Sequence, residues 1–363
     1  MNNKIGLLYI TADTWWDTDI NVLPELGQKF NLEVIVLSPI KGGKYPEKTL
    51  PSYIKFTNKR IGRSRKNPIY IIVSFLYALL LLYKSWNRKT FWVVDNNIYY
   101  IFPLMLMCRR KNFILSYHNY VAHIDTLRID MMTQDLQLRL FDNFHFQSKS
   151  QWEFFKRDFP NKKSFATTMQ IKDFGFATDT KKFFNNNLRT FLFFGMLREY
   201  KHPEMFIKTA NKFKGKANFI IAGNCRHWSN YEKMIENNNE IRCDIRFIDN
   251  NEIPEYFTSS DFLILPYEDS TQSGPLLIAY NYNLPIIASN LDYFKIMISD
   301  KQDGFLFESL NQSSLDEVVG EAIKLSDKEY EDIIYNQKIR IEKYKKESNF
   351  SEALYRYIVN NKK

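Results

Sequence analysis

Short runs of apolar residues alternate with longer segments of helical periodicity through the first half of the chain. The runs are four to six residues long, which is typical of strands, and the intervals between them have room for helices. This alternation predicts a parallel sheet with crossover helices. The strands are expected at Ile5–Ile10, Leu32–Leu37, Phe91–Val94, Phe113–Tyr117 and Asn143–Phe146, and the helices include Pro24–Phe30, Ile69–Lys84 and Gln151–Phe155.

The second half of the chain repeats the alternation and predicts a second parallel sheet. We therefore expect an α/β protein with two doubly wound, Rossmann-like domains. Because open parallel sheets bind ligands at the carboxyl ends of their strands, two such domains facing a central cleft would hold two substrates in opposition. The strands are expected at Thr190–Phe194, Asn218–Ala222, Ile245–Ile248, Phe262–Leu265 and Pro285–Ala288, and the helices at Pro203–Phe213, Ser229–Asn237, Ile253–Ser259 and Gly274–Tyr282.

Changes in polarity indicate the domain boundaries. Residues 176–188 are polar and rich in asparagine, without apolar periodicity, and are interpreted as a linker. The sequence thus predicts an N-terminal domain over residues 1–175 and a C-terminal domain over residues 189–344. The charged tail Lys328–Lys363 has helical character, and its last part, about residues 345–363, is expected to pack back on the first domain.

Composition and charge narrow the choice of partners. The chain has 363 residues, 45% of them hydrophobic, which suits two packed cores. Its three cysteines are too scattered for a disulfide framework or a zinc site, so their spacing indicates no metal site. No cofactor is expected. The formal charge of +9 favours phosphate-bearing substrates or an anionic lipid surface. Nucleic acid is not expected, because the basic residues are spread and belong to no recognised motif.

The clearest candidate chemistry follows the first strand predicted for the second domain. That strand ends at Gly195, where a bare backbone lets a ligand come close. Arg198 and Lys201 stand just before the next predicted helix, and cations beside a helix N-terminus favour phosphate. A diphosphate would fit there. Two solvated surface cations beside a turn are the alternative interpretation.

The second half of the chain resembles the nucleotide-binding domain of glycosyltransferase family 4, in the GT-B superfamily. The matching segments within residues 190–307 are Phe193–Lys201, Phe219–Gly223, Ile245–Asp249 and Ile253–Tyr267. The resemblance implies a GT-B fold and a nucleotide-sugar donor whose diphosphate is held by Arg198 and Lys201. The other donor-binding residues that it implies are Gly195, Gly223, Phe247, Ile248, Glu268, Gln272, Ser273, Gly274, Leu276 and Leu277.

The family's donor loop corresponds to Glu268–Ala279 in this chain. Ser273 and Gly274 begin a helix there, whose dipole would stabilise the departing diphosphate without a metal. The backbone N–H groups of Leu276 and Leu277 are then placed to meet donor oxygens. An ordinary helix with Ser273 as its cap is the alternative interpretation.

The donor loop departs from the family pattern at two positions. Many members carry two glutamates eight positions apart, where this chain has Ser270 and Ile278. Ribose contact by the second glutamate is thereby lost, and Glu268 becomes the candidate for the first role. The departure leaves a non-catalytic GT-B binding module as an alternative to a transferase. A second alternative is a GT-B-shaped nucleotide-sugar epimerase, which would need a carboxylate-rich cleft and no acceptor surface.

Two candidate catalytic residues lie in the first domain. His118 follows a predicted strand, and the resemblance implies that it points toward the donor sugar; a structural histidine is the alternative. Asp17, with Asp13 and Asp19 as alternatives, is a candidate base if the reaction inverts the anomeric carbon. With Asp19 it spells the Asp-x-Asp of metal-dependent glycosyltransferases, a match interpreted as coincidence. The neighbouring Trp15 and Trp16 either stack on a sugar ring or close the core.

An apolar stretch flanked by cations is a candidate membrane surface. Ile69–Tyr83 covers 15 residues, below the roughly 20 that span a bilayer, and the basic segment Lys59–Lys66 precedes it. This pattern predicts an interfacial helix at an anionic membrane, or else a buried helix with solvated ends. No export signal is expected, because the first apolar run is too short for one.

These features together predict a hexosyltransferase. It would move a sugar from a UDP- or GDP-linked donor to a glycan or lipid-linked acceptor. The resemblance implies retention of the anomeric configuration and a role in bacterial surface polysaccharide or glycoconjugate synthesis. The expected location is the cytoplasm, including the inner face of the cell membrane.

Overall fold

The computed structural model divides the chain into two compact units. Unit 1 comprises Met1–Gln170 with Glu347–Lys363, and unit 2 comprises Ile171–Lys346. Unit 2 therefore includes the asparagine-rich stretch that the sequence analysis interpreted as a linker. The structure describes residues 4–38, 50–60, 68–84, 90–95, 113–117, 120, 128–177, 183–184, 186–235, 238 and 240–361.

Unit 1 is built on a seven-stranded sheet in the order β3-β2-β1-β4-β5-β6-β7, and every adjacent pair is parallel. Apolar side chains cover both faces of this sheet and form two buried clusters. Its strands are β1 (Gly6–Ala12), β2 (Asn31–Ser38), β3 (Lys55–Arg60), β4 (Thr90–Asp95), β5 (Phe113–Tyr117), β6 (Asn143–Phe146) and β7 (Lys163–Ala166).

Described helices lie between β1 and β2, β3 and β4, β5 and β6, and β6 and β7. The last helix of the chain packs beside β7 and the second helix. That last helix buries Leu354 and Ile358 against the sheet, which explains why the C-terminal segment belongs to unit 1. The helices of unit 1 are α1 (Trp16–Asp19), α2 (Leu23–Lys29), α3 (Pro68–Lys84), α4 (Arg128–Leu140), α5 (Lys149–Asp158) and the C-terminal α13 (Phe350–Asn360).

Two strands of unit 1 were not predicted, and both lie at sheet edges. β3 carries mostly exposed polar residues, Lys-Phe-Thr-Asn-Lys-Arg, and lacks the buried apolar run of an interior strand. β7 is short and half-buried. Edge strands of this kind carry charge that discourages pairing with other chains, so hydrophobicity alone does not reveal them.

Unit 2 contains a six-stranded parallel sheet in the order β10-β9-β8-β11-β12-β13, with one large core cluster beside it. Its strands are β8 (Thr190–Phe194), β9 (Asn218–Ala222), β10 (Ile241–Asp244), β11 (Phe262–Leu265), β12 (Ile286–Ser289) and β13 (Gly304–Phe307). Its helices are α6 (Pro203–Lys212), α7 (Ser229–Glu232), α8 (Ile253–Thr258), α9 (Gly274–Asn281), α10 (Asp292–Met297), α11 (Gln312–Lys324) and α12 (Asp327–Glu347).

The strand predicted at Ile245–Ile248 is wrong, because β10 lies four residues earlier. β10 pairs with β9 from Ile241 to Asp244, and the chain then leaves the sheet. The apolar residues that suggested a strand sit instead in an irregular segment braced by Arg246, whose guanidinium binds both carboxylate oxygens of Glu252 at 2.5 and 2.8 Å. A charge-assisted bidentate ion pair can stabilise such a segment without the backbone hydrogen bonds that join neighbouring strands of a sheet.

Candidate functional site

Two glycines shape the carboxyl edge of the unit 2 sheet. Gly195 follows β8 with φ +105°, and Gly223 follows β9 with φ +148°. The Gly195 N–H donates to the Ala222 carbonyl oxygen at 2.9 Å, so the two strand ends remain joined as they leave the sheet. Because L side chains rarely adopt these angles, glycine at both positions keeps the edge as bare backbone that a ligand can approach.

Lys201 places a buried cation beside this edge. It ends the 3-10 turn Glu199–Lys201, is 8% exposed, and carries its Nζ 5.2 Å from the centre of the Tyr267 ring. Among the described residues, no carboxylate pairs with this ammonium group. Burial, followed by the nearby charge of Arg198, lowers the pKa of Lys201 to about 8. A buried cation without a counterion favours binding of an anion.

Arg198 begins the same turn but lies at the surface. Its Nε donates to the Met196 Sδ at 3.4 Å, a weak contact that leaves the guanidinium available. The backbone N–H of Lys201 donates to the Arg198 carbonyl oxygen at 3.0 Å and closes the turn that carries both residues. The turn therefore presents one buried and one exposed positive charge.

The first turn of α9 supplies a helix N-terminus to the same place. Ser273 is buried, and its Oγ accepts a hydrogen bond from the Leu276 N–H at 3.3 Å, as a helix cap does. The Leu277 N–H donates to the Ser273 carbonyl oxygen at 3.3 Å. Pro275 has no N–H to offer.

These contacts change the sequence-based expectation for the donor loop. The N–H groups of Leu276 and Leu277, expected to meet donor oxygens, are both already bonded to Ser273. Among the described residues, none accepts from the N–H of Gly274. Gly274 is therefore the residue whose backbone can donate to an incoming anion at this helix end.

His202 is a residue of this site that the sequence analysis missed. It adopts a left-handed conformation with φ +47°, a position that favours glycine. Its ring lies between two carboxylates, with Nδ1 2.5 Å from Glu204 Oε1 and Nε2 3.2 Å from Glu268 Oε2. The Glu268 N–H also donates to the Tyr200 carbonyl oxygen at 2.8 Å. The donor-loop candidate Glu268 is thus tied to the turn that carries Lys201.

Other candidates of unit 2 have less direct placements. Phe247 is about half exposed, whereas Ile248 is buried in the core and offers little surface to a ligand. Gln272 is partly buried, and its carbonyl oxygen accepts from the Ser270 hydroxyl at 3.2 Å. Ile278, which stands where the family has its second glutamate, is buried in α9.

The candidate catalytic residues of unit 1 are only partly described. His118 and the side chain of Asp17 lie outside the described residues, although α1, which contains Asp17, is resolved as a helix. Asp19 is buried, and its Oδ1 accepts from the Tyr9 hydroxyl at 2.8 Å. Trp16 is also buried, and its ring centre lies 5.6 Å from that of Phe56, so it closes the core.

A small cavity of about 20 Å³ in unit 1 is lined in part by Asp19, Tyr9 and His145. This volume corresponds to roughly one water molecule. The His145 ring lies 2.8 Å from both the Ser116 and the Thr167 hydroxyls, so it is a satisfied structural histidine. Across the described ranges, no three His, Cys, Asp or Glu side chains are grouped as metal ligands.

The predicted membrane surface is described at Lys59, Arg60 and α3, whereas residues 61–67 lie outside the described residues. One face of α3 is apolar and exposed: Ile72 is 57% exposed and Leu76 is 58% exposed. Tyr77 points inward and packs beside the core of unit 1, where Lys59 Nζ lies 5.2 Å from its ring centre. Within the described residues, no helix combines the length and apolarity needed to cross a membrane.

Part of the chain matches a known protein-family model. Residues 177–340 match the family model for glycosyl transferases group 1, which corresponds to most of unit 2. None of the curated proteins matches the sequence significantly.

Solved structures resemble the chain over almost its whole length. Sucrose-phosphate synthase from Thermosynechococcus elongatus has 12% identity and a TM-score of 0.70, covering 98% of this chain and 99% of that one. The Anabaena protein HepE in complex with UDP-glucose has 10% identity and a TM-score of 0.69, with 98% of each chain covered. A glycosyltransferase from Rickettsia africae has 14% identity and a TM-score of 0.67, with 98% of each covered. The predicted GT-B fold is thereby confirmed.

Proposed function

We propose that unit 2 binds the diphosphate of a nucleotide sugar and that the protein is a glycosyltransferase. The observation that carries this proposal is Lys201, a buried cation that lacks a counterion among the described residues. It stands where two glycines leave bare backbone and where α9 begins. The match of residues 177–340 to glycosyl transferases group 1 supports the same assignment.

The chemistry follows from the charges of these residues. In the transfer, the bond between the anomeric carbon and the diphosphate oxygen breaks while an acceptor hydroxyl oxygen bonds to that carbon and passes its proton to an oxygen of the departing diphosphate. Negative charge then builds on the departing diphosphate. Arg198, Lys201 and the Gly274 N–H would stabilise that charge in the transition state, which is how oriented donors accelerate such reactions. We propose that the reaction needs no metal and retains the anomeric configuration.

UDP is the nucleotide that we favour. HepE of Anabaena has been solved with UDP and with UDP-glucose, and both structures resemble this chain with TM-scores of 0.66 and 0.69. A resembling structure from Burkholderia vietnamiensis is a UDP-forming trehalose-phosphate synthase. Phe247, about half exposed beside the strand ends, offers an aromatic face on which a base can stack.

We further propose that the acceptor is a glycan or a lipid-linked glycan of bacterial surface polysaccharide synthesis, handled at the inner face of the cell membrane. The exposed apolar face of α3 supports a membrane location for unit 1. The basic residues that precede α3 in the sequence would add attraction to anionic lipid.

A binding screen tests the central proposal. Thermal unfolding should shift upward with UDP or GDP, because a ligand at a hundred times its Kd stabilises a protein by about 2.7 kcal/mol. The same screen with UDP-sugars and GDP-sugars, followed by assays for release of the nucleoside diphosphate with glycan acceptors, separates transfer from binding alone. Tight binding without turnover of any donor would favour a non-catalytic binding module, the alternative suggested by Ile278 at the position of the family's second glutamate. If neither nucleotide binds, the proposed donor site is wrong.

A further inference from the structure

Lys172 lies at the start of α9, although no sequence motif singles it out. Its Nζ is 3.9 Å from the point where a Cβ on Gly274 would stand. Gly274 is the first residue of α9, a helix of eight residues. The ammonium group therefore stands beside the one N–H of that turn that we assigned to an incoming anion.

The segment that carries Lys172 is fixed along α9. Asn281, the last residue of α9, donates through Nδ2 to Asp173 Oδ1 at 3.0 Å. The Tyr282 hydroxyl donates to the Gly175 carbonyl oxygen at 2.9 Å. Because these bonds hold residues 173–175 at the C-terminal end of the helix, the Lys172 side chain reaches back along it to the N-terminal end.

A buried cation, Lys201, approaches the same turn as the partly buried Lys172. Lys201 Nζ lies 3.8 Å from the point where a Cβ on Gly195 would stand, and Pro275 Cγ lies 3.5 Å from that point. Lys201 and Lys172 thus lie near the first two residues of α9. The two ammonium groups and the positive end of the helix dipole together make the start of α9 electropositive, which attracts an anion with several negative oxygens.

We propose that Lys172 is a third cation of the donor site, binding the phosphates of a nucleoside diphosphate together with Arg198 and Lys201. This inference rests on the proposed function and adds a residue to it. The positive charge of Lys172 would also stabilise the leaving group, because the diphosphate gains negative charge as the sugar leaves. A fixed ammonium group at the helix start would bind the departing product more strongly than the intact donor.

Isothermal titration with UDP and with uridine tests the proposal on the full-length protein. Replacing Lys172 by Met should weaken UDP binding by about tenfold or more, the usual effect of losing one charge-assisted contact. Uridine, which lacks phosphate, should bind the variant and the wild type equally. Lys172→Arg should restore most of the affinity for UDP. Lys338→Met is the matched control, since it removes an exposed lysine of α12 and should leave UDP binding unchanged.

Each outcome decides between the two proposals. If Lys172→Met and Lys338→Met bind UDP equally well while Lys201→Met loses affinity, Lys172 is not part of the site but the donor site stands. If the wild-type protein binds neither UDP nor GDP, the proposed function fails and this inference with it. A fall in uridine affinity equal to the fall in UDP affinity would show distortion of the site rather than loss of a phosphate contact. Lys172→Gln, which keeps a polar side chain, serves if the Met variant does not fold.

Discussion

A Cβ added to Gly223 would stand 1.8 Å from the carbonyl oxygen of Gly195. No packing adjustment of side chains can relieve that overlap, because the obstructing atom belongs to the backbone of the neighbouring strand end. The same two residues begin the bare edge beside which Lys201 and α9 lie. The geometry that opens this edge to a diphosphate is therefore also a requirement of the fold.

Gly223→Ala should destabilise unit 2 more than Gly215→Ala does. Both glycines have positive φ, +148° and +72°, so alanine is strained at each. A Cβ at Gly215 would meet nothing within 4 Å, whereas at Gly223 it overlaps backbone. The left-handed strain costs about 1–2 kcal/mol, and the overlap should add at least about 1 kcal/mol at Gly223 alone. Urea unfolding of the two variants measures the difference, and equal midpoints would show that the strand ends separate easily.

Arg198→Ala and Lys201→Ala should each weaken donor binding without unfolding the protein. Each would remove a charge-assisted contact to the diphosphate worth roughly 1.5–3 kcal/mol. Lys201→Met should even stabilise the unliganded protein near neutral pH, because it removes a buried charge that has no counterion among the described residues. Titration with UDP, with Lys338→Met as control, measures the affinities. Wild-type affinity in the Arg198 or the Lys201 variant would contradict the assigned role of that residue.

Stability should rise with pH in a window set by Lys201. Its pKa is about 8 in the folded protein and 10.5 when exposed, so the unfolded chain binds more protons between these values. The free energy of unfolding must then increase with pH across that window, by up to about 3 kcal/mol for this group. Below pH 8 the lysine is charged in both states and its burial cost is fully present.

The comparison with Lys201→Met isolates this contribution from other titrating groups. Urea unfolding of both proteins at a pH of about 7 and of about 10 should show that the advantage of the variant shrinks at the higher value. A constant difference between the two proteins would mean that Lys201 keeps an ordinary pKa and is solvated or paired.

The sequence predicts the buried parts of the molecule better than its edges and its site. β8, β9 and β11 appear in the sequence as apolar runs with the bounds that the structure gives, because interior parallel strands are buried on both faces. β3 is polar and exposed, so periodicity gives no signal for it. At Ile245–Ile248 the pattern predicts a strand that the structure lacks. This apolar run lies outside the sheet, in an irregular segment stabilised by the Arg246–Glu252 ion pair.

The sequence predicts candidate site residues only where a motif marks them. Gly195, Arg198 and Lys201 stand close together in sequence, and the resemblance to a known family identified them. The sequence does not single out His202 and Lys172, because their proposed roles depend on neighbours 66 and about 100 positions away, Glu268 and Gly274. The charge state of Lys201 also depends on burial, which no local pattern of residues reports.

Turnover should survive chelation of divalent cations. The proposed site neutralises the diphosphate with Arg198, Lys201 and the N-terminus of α9, so EDTA should leave the rate of sugar transfer within about twofold of the untreated rate. The assay follows release of the nucleoside diphosphate with and without EDTA. If activity is lost and returns with Mn²⁺ or Mg²⁺, the pair Asp17 and Asp19 becomes the first candidate for a metal motif, and Asp17→Asn should then abolish the rescue.

The exposed face of α3 predicts binding to anionic membranes through unit 1. Ile72 and Leu76 are apolar and more than half exposed on a helix of 17 residues, and burying such side chains in the lipid interface is favourable. Replacing both by Ser should reduce sedimentation with liposomes that contain anionic lipid. The matched control replaces Ile296 and Ile339, two exposed isoleucines of unit 2, by Ser and should sediment like the wild type.

The electrostatic part of the same association is tested separately, since each basic residue near an anionic surface contributes about 1 kcal/mol and salt screens it. Arg63, Arg65 and Lys66 precede α3 in the sequence, and replacing all three by Ser should weaken binding to anionic liposomes while leaving the weak binding to neutral ones unchanged. High salt should lower the recovery of the wild type toward that of the triple variant. Equal recovery of the wild type with neutral and anionic liposomes would show that electrostatic attraction does not contribute to membrane binding. If the α3 variant also sediments normally, the apolar face of α3 serves another purpose and a soluble acceptor becomes the simpler proposal.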